Sequence, residues 1–406
     1  MKEKVYIIQP AESDNFRTLH SEAVALIESA GAEYIGTTYQ NIREINPATY
    51  IGSGKAEEIS ATLGEEELTV LFNGDLSPSQ VLNLSNALGG RKVIDRTTLI
   101  LDIFALRAES SEGKIQVELA QLKYIYPRLR CKGADLSRLG GGIGTRGPGE
   151  TKLETDRRHI KSRIRALEEK LEKTERRRCL TVRRRKKERV RTIALVGYTN
   201  VGKSTLMNAL TNADVFVKDA LFATLDPTSR NFEIEGIPFL LVDTVGFLQD
   251  LPHNLIEAFK STLESAVNCD LALVVCDGSG NYEMQLTTTL DTLKSLGFSS
   301  PYLIVINKCD AVKDVRLFSK DCVEISAKTG VGLGELKTKI LNTLVDKFYT
   351  VKLLFPYSDM KEYGMLRDFL YGEKTDYTDD GLTVSGKIDR RDLSKFSRFL
   401  IEIPKD

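Results

Sequence analysis

Over residues 1–110, short apolar runs alternate with stretches of helical period. Val5–Gln9, Glu33–Thr38, Thr69–Phe72 and Lys92–Ile94 read as strands, with helices at Phe16–Ala30, Ala56–Leu63 and Ser77–Leu88 between them. Strands separated by helices of that length predict a small parallel sheet with covering helices. Gly52-Ser53-Gly54-Lys55 has the look of a truncated phosphate loop, but its spacing is wrong and no strong strand precedes it. A turn that opens a helix is expected there.

Beyond residue 110 the period changes. Ile115, Leu119, Leu122, Tyr126 and Leu129 are spaced 4-3-4-3, and Leu153, Arg157, Ile160, Ile164, Leu167 and Leu171 repeat the rhythm with one polar break at Arg157. Two seams of 3.5-residue period predict two long helices packed as an antiparallel hairpin. Neither Gly nor Pro occurs from Glu150 to Val196, so the second helix is free to run on. Its Leu153–Arg178 part alone would span about 40 Å, which makes a projecting arm. At the tip, Cys131–Gly149 reads as a loop, with seven glycines in the 17 residues from Gly133 to Gly149 and with Arg138, Arg146 and Pro148 among them. A linker is typically serine-rich. Glycine backbone that can approach closely, beside guanidinium groups, suits RNA better.

Strand signals return at Thr192–Val196, Phe232–Glu235, Phe239–Val242, Leu271–Cys276, Tyr302–Ile306 and Val323–Ile325. The C-terminal stretch predicts a strand (Val351–Phe355), a helix (Met360–Leu370), a strand (Leu382–Ile388) and a terminal helix (Leu393–Ile401). The expected class is α/β. It comprises an N-terminal parallel-sheet α/β domain (1–110), a helical hairpin arm with its Gly-rich loop and basic linker (111–191), a P-loop nucleotide domain (192–346) and a small α+β C-terminal domain (347–406).

Composition narrows the class. The 406 residues are 41% hydrophobic and 28% charged, ordinary for globular domains with sizeable cores. No apolar run is long enough to span a bilayer and Met1–Val5 lacks a signal-peptide core, so a cytoplasmic chain without a membrane span is expected. The cysteines (131, 179, 269, 276, 309, 322) form no CxxC pair, and reduced, structural thiols are expected. His20, His159 and His253 sit in no metal-like or triad-like setting. A net charge of zero hides an asymmetry: from Arg157 to Arg191 there are 17 Lys and Arg against 5 Asp and Glu. Such a run can be a solvated helix face; this density, with Arg176-Arg177-Arg178 and Arg183 to Lys187, favours nucleic-acid contact.

The chemistry is concentrated after residue 191. Gly197-Tyr198-Thr199-Asn200-Val201-Gly202-Lys203-Ser204 follows an apolar strand and opens, at Thr205, a helical pattern that runs through Leu206 and Leu210. That is the strand–loop–helix context of a phosphate-binding loop. Inward backbone N–H groups and the helix N-terminus wrap a phosphate, Lys203 reaches the β- and γ-phosphates, and Ser204 can coordinate Mg²⁺. Asp243-Thr244-Val245-Gly246 ends a strand, placing Asp243 to hold Mg²⁺ through water and the Gly246 N–H to meet a γ-phosphate. Upstream, Phe222-Ala223-Thr224-Leu225-Asp226-Pro227-Thr228 is a polar connection with two candidate Mg²⁺-ligand threonines, Thr224 and Thr228. Asn307-Lys308-Cys309-Asp310 decides the base: the Asp310 carboxylate accepts from guanine N1–H and N2–H₂, which adenine does not offer. The Lys308 stem can lie over the ring, and Ser326-Ala327-Lys328 places the Ala327 N–H for guanine O6. Four such strings in order, each ending a strand, make this a GTPase fold. Where many signalling GTPases carry a water-orienting Gln, this chain has Phe247 and then Leu248, so slow intrinsic turnover is expected. Asn200 is a candidate ligand for a monovalent cation such as K⁺, or a brace of the loop.

The chain resembles the HflX family of ribosome-associated GTPases, of the Obg-HflX group. The resemblance covers nearly the whole length and rests on Gly140-Gly141-Gly142-Ile143-Gly144-Thr145-Arg146-Gly147-Pro148-Gly149-Glu150 with Thr151–Arg158, on Gln116–Leu122, on Phe222–Thr228 and on Asp243–Gly246 followed by Phe247. It implies that Thr224 is the switch I Mg²⁺ ligand, acting with Lys203 and Gly246 in hydrolysis of GTP to GDP. A hydrophobic residue at 247 is the family's habit. It further implies binding to the large ribosomal subunit and its RNA, with the arm reaching the peptidyl transferase region, and a role in splitting or rescuing stalled ribosomes under stress. A monomer is expected. Two other readings stand beside this one: an ATP- or GTP-driven RNA-remodelling enzyme, and a signalling switch with a protein effector.

Overall fold

The structure is a computed structural model describing residues 2–11, 16–42, 44–137, 148–188, 190–211, 221–222, 226–249, 252, 255, 267–312, 322–344, 348–367 and 369–402, with 130–137, 148–153, 175, 177–188, 391 and 402 described as backbone alone. The chain falls into two compact units. The first comprises Met1–Val182 together with Lys218–Asp226 and Leu248–Thr262; the second comprises Arg183–Val217, Pro227–Phe247 and Leu263–Asp406.

The first unit is built on β1 (Lys4–Pro10), α1 (Phe16–Ser29), β2 (Glu33–Gln40), α2 (Ser53–Leu63), β3 (Thr69–Phe72), α3 (Pro78–Ala87) and β4 (Lys92–Asp95). The strands form a parallel sheet in the order β2-β1-β3-β4. Helix α3 starts on a reciprocal capping box between Ser77 and Gln80, which satisfies two orphan donors of its first turn. Ile8, Ile59, Val70, Phe72 and Leu84 fill one core beneath the sheet. Gly52-Ser53-Gly54-Lys55 is the start of α2, with Gly52 as its N-cap.

Helix α4 (Arg96–Arg107) has no counterpart in the sequence reading. Asp95 caps it by accepting from the Thr98 amide at 3.0 Å. Leu99, Ile100, Leu101, Ile103 and Phe104 are all buried and Leu106 is apolar on the exposed face, so the sequence shows a nearly continuous apolar run and no clear 3.6-residue stripe.

The arm is present as expected. Helices α5 (Ser111–Ser137) and α6 (Pro148–Glu188) are joined at residues 118 and 163 by a two-bonded Arg163–Glu118 pair at 2.6 and 2.8 Å, and by Lys123–Glu168 at 2.8 Å. Leu119 and Leu167 are buried on the seam. The seam's one polar break is accommodated: the Arg157 guanidinium lies 5.2 Å from the Tyr126 ring centre and donates to its hydroxyl at 3.4 Å. Two boundaries move. The first helix continues to Ser137 and the second begins at Pro148, so both ends of the expected Cys131–Gly149 loop are helical, and 138–147, with Arg138 and Arg146, lie outside the described residues. The sequence underestimates the second helix: its 41 residues span about 61 Å.

The second unit holds β5 (Arg191–Gly197), α7 (Lys203–Thr211), β6 (Thr228–Ile234), β7 (Ile237–Asp243), β8 (Leu271–Asp277), α8 (Tyr282–Ser295), β9 (Tyr302–Asn307), β10 (Cys322–Glu324) and α9 (Leu333–Leu344). Its sheet runs β10-β9-β8-β5-β7-β6, parallel except for the edge strand β6. The remaining elements are β11 (Phe348–Phe355), α10 (Met360–Leu366), β12 (Leu370–Thr378), β13 (Gly381–Asp389), α11 (Arg390–Leu393) and β14 (Leu400–Glu402), forming an antiparallel sheet β12-β13-β11-β14. Two expectations fail here. The helix Met360–Leu370 stops at Leu366, and Leu370 begins β12, an edge strand whose residues after Gly372 are mostly exposed and so carry no alternating apolar signal. The terminal helix Leu393–Ile401 is a 3₁₀ segment, Ser394–Phe399, followed by β14. Buried Arg191, at the start of β5, joins this sheet to the nucleotide sheet by pairing with Asp389 at 2.6 Å and lying 5.1 Å from the Phe348 ring centre.

Candidate nucleotide site

The site residues stand at the carboxyl ends of neighbouring parallel strands, where open α/β sheets bind ligands. β5 lies between β7 and β8, with Leu195 opposite Asp243 and Gly197 opposite Val275. Asn307 ends β9 opposite Asp277, and Ser326 and Ala327 follow β10.

The loop Gly197–Lys203 is shaped by close approaches. Gly197 has φ +151° and Gly202 φ +89°; a Cβ on the first would strike the Val275 carbonyl and on the second the Asn307 amide. Asn200 adopts φ +60°, the left-handed conformation that Asn tolerates better than most residues. Asn307 ties the loops together, donating to the Val201 carbonyl at 2.8 Å and accepting from the Ala327 amide at 2.9 Å. The amide expected to reach guanine O6 is thus engaged within the protein. The Cys309 amide bonds the Ile325 carbonyl at 3.1 Å, fixing the Asn307–Asp310 loop to the Ser326–Lys328 loop. Lys308, itself at φ +62°, reaches the Asn200 carbonyl at 2.8 Å and pairs with Asp277 at 2.7 Å. Asp310 is exposed at the start of a 3₁₀ turn, its carboxylate open to a base.

At the phosphate end, Lys203 donates to the Tyr198 carbonyl at 2.8 Å and the Gly197 carbonyl at 3.2 Å. Burial pulls its ammonium down to about 8, against an opposing pull from Asp243. Ser204 Oγ donates to Asp243 Oδ2 at 2.7 Å. Buried Thr199 Oγ1 has no hydrogen-bond partner among the described residues. A Cβ at Gly246 would stand 2.8 Å from Thr199 and 2.9 Å from Lys203 Nζ, so only glycine leaves that cradle open. Thr244 is held back by its hydroxyl on the Leu195 carbonyl at 2.7 Å, and Val245 is buried. Phe247 is 1% exposed and forms a bridge with Tyr198: the Thr199 amide donates to the Phe247 carbonyl at 2.8 Å and the Phe247 amide to Gly197 at 3.1 Å. Its ring is a packing element that cannot aim water.

Thr205 lies in the first turn of α7. Ala223, Thr224 and Leu225 lie outside the described residues. Phe222 and Asp226 belong to the first unit, where Phe222 packs on Phe104 and Asp226 accepts from Glu109 and Ser110. Sequence reasoning missed Asp277, the partner of Lys308; an acid ending the apolar run Leu271–Cys276 was its available signal.

Hard oxygen donors from Ser204 and Asp243, without a full protein cage, fit Mg²⁺, which keeps water and phosphate oxygens in its shell. Among the described residues no cluster of three His, Cys, Asp or Glu side chains forms a metal site, and no helix is long and apolar enough to cross a membrane. Cys269, Cys276, Cys309 and Cys322 form no disulfide, and burial pushes Cys269 and Cys276 up to about 12.

Residues 18–105 match the family described as GTP-binding GTPase N-terminal, residues 107–185 the GTP-binding GTPase middle region, and residues 192–308 the 50S ribosome-binding GTPase domain. The chain is 45% identical to GTPase HflX of Caldanaerobacter subterraneus, over 98% of this chain and 94% of that one. It is 41% identical to GTPase HflX of Escherichia coli, over 82% and 79%. A crystal structure of a GTP-binding protein from Sulfolobus solfataricus with GDP aligns over 85% of this chain and 99% of that one, at 26% identity and a TM-score of 0.45. With this nucleotide site and these relatives along nearly its whole length, the chain belongs to the HflX family of GTPases and is a GTP hydrolase.

Proposed function

We propose that this GTPase is a switched ribosome factor: it binds the large ribosomal subunit through its arm in the GTP state and acts in splitting or rescue of stalled ribosomes under stress. The carrying observation is the arm, a pair of long helices whose intervening sequence is rich in glycine and arginine and whose second helix ends in a dense basic run. The match of residues 192–308 to a 50S ribosome-binding GTPase domain supports the same partner. Glycine-rich backbone and guanidinium groups recognise RNA phosphates and grooves without needing a base sequence.

At the nucleotide site, the loop amides and Lys203 cradle the phosphates, Asp310 selects guanine, and Ser204, Thr224 and, through water, Asp243 would hold Mg²⁺. When bound, that ion neutralises charge developing on the β- and γ-phosphate oxygens. Gly246 leaves room for the γ-phosphate beside Lys203. Phe247 supplies no water-orienting group, so turnover by the free protein is slow and the ribosome completes the site. Asn200 offers an oxygen to a monovalent cation; equal GTPase rates in K⁺ and Na⁺ would remove that ion from the account.

The test is GTP turnover with and without large ribosomal subunits, for the intact chain and for a chain lacking residues 139–148. The intact chain should be strongly stimulated. The shortened chain should keep its GTP affinity and lose the stimulation. Equal stimulation of both would make the loop a mere connection and refute this reading of the arm.

A further inference from the structure

The ends of β8 and β9 stand side by side at Asp277 and Asn307. The Gly278 amide donates to the Asn307 carbonyl at 2.8 Å, which brings Asp277 alongside Lys308. The two oxygens of its carboxylate have separate partners. Oδ1 accepts from the Ser279 amide at 2.9 Å and the Ser279 hydroxyl at 2.5 Å, a local turn of the kind that Asp favours. Oδ2 pairs with Lys308 Nζ at 2.7 Å. The Asp277 amide donates to Gln285 Oε1 in α8 at 2.8 Å, so backbone and one oxygen are both fixed independently of Lys308. Lys308 itself sits at φ +62°, a conformation that is costly for a residue with a Cβ and persists where surrounding contacts hold it. Those contacts lie at the far end of its side chain. Nζ meets Asp277 on one side and the Asn200 carbonyl on the other, at 2.8 Å. The Lys308 side chain is 34% exposed and that of Asp277 16%, so the pair is neither fully solvated nor sealed from water.

We infer that Asp277 is a positioning residue for guanine-nucleotide binding: it pins the Lys308 ammonium against the phosphate-binding loop, so that the methylene stem is held ready to lie over the base. The inference deepens the reading of Asn307–Asp310 as the guanine pocket and rests on it. A lysine side chain free in solvent samples many rotamers, and fixing it when a ligand binds costs entropy. With Nζ anchored at two points, that ordering is complete before the nucleotide arrives. The anchors use only the ammonium, and the apolar stem remains available to a ring. Asp277 touches neither base nor phosphate in this role and acts through Lys308. The base is common to GTP and GDP and remote from the bond that breaks. The effect therefore falls on affinity for both nucleotides alike, and not on the chemical step.

The experiment compares the full-length protein with Asp277→Asn, Lys308→Met and the double variant, with Asp310→Asn as the control for the pocket. Asn keeps the shape of Asp and an oxygen for Ser279 while removing the charge that holds Lys308. Met keeps an apolar stem and removes the ammonium. The readouts are Kd for GDP and for a non-hydrolysable GTP analogue, KM and kcat for GTP, and the thermal midpoint of each variant as a check on folding. Asp277→Asn should weaken GDP and analogue binding by one common factor of about three to ten, the scale of a partly exposed charge-assisted contact. KM should rise by the same factor, with kcat within about two-fold of the unaltered protein. In the Lys308→Met background Asp277→Asn should cause no further loss, because the contact it removes is already gone. Losses that multiply in the double variant would overturn the inference and make Asp277 a brace of the Ser279 turn alone. Unaltered affinity in Asp277→Asn, or a fall in kcat without a rise in KM, would overturn it as well. A silent Asp310→Asn would instead refute the guanine pocket, and the double-variant comparison would still decide whether Asp277 acts through Lys308.

Discussion

Lys203 shows what burial does at the scale of one residue. In the free site its ammonium rests on two loop carbonyls, and burial brings it down to about 8. Bound phosphates favour the charged form, so the complex holds more protons than the free protein above that value. Nucleotide affinity should therefore be flat below pH about 7 and fall as pH rises through about 8. Calorimetry of GDP binding in two buffers of different ionisation enthalpy should show proton uptake half a unit above that pH and none a unit below. No uptake at either pH would mean Lys203 is already fully charged. Asp310 makes an independent case: Asp310→Asn should weaken GTP binding by about 2–4 kcal/mol. Competition between GTP and ATP reads this out, and an unchanged preference would place guanine elsewhere. These residues were legible in the sequence because the chemistry fixes both residue type and spacing. The Lys308–Asp277 pair and the use of the Ala327 amide by Asn307 were not, since they arise where separate strands end side by side.

At the scale of elements, the arm was legible from its two 3.5-residue seams, and the reason its polar break is tolerated became visible only when Tyr126 met Arg157. Periodicity failed at the two extremes of burial. Helix α4 buries a wide apolar arc and carries Leu106 on its exposed face, which blurs its stripe, and β12 shows too little apolar face to read as a strand. The C-terminal end of α6 carries Arg183 to Lys187, five cations in succession. If they meet ribosomal phosphates, replacing them with Gln should weaken binding to large subunits and flatten its salt dependence, by roughly 0.7 to 0.9 in log–log slope per lost contact. Binding measured across a salt series checks this. A parallel shift with the slope unchanged would assign the run to a solvated helix face.

At the scale of the whole molecule, the division of labour follows the chain's charge. The basic run from Arg157 to Arg191 carries +12 while the rest of the sequence carries −12. The phosphate and base residues lie in the second unit, yet Lys218–Asp226 and Leu248–Thr262 belong to the first, with the arm. If Thr224 responds to the γ-phosphate as proposed, ribosome binding should follow the nucleotide. Cosedimentation of the purified protein with large ribosomal subunits in GTP, in a non-hydrolysable analogue and in GDP tests this directly. The protein should pellet with the subunits in the analogue, remain largely in the supernatant in GDP, and fall between the two in GTP as turnover proceeds. Equal pelleting in all three conditions, or none in any, would contradict a GTP-switched ribosome factor.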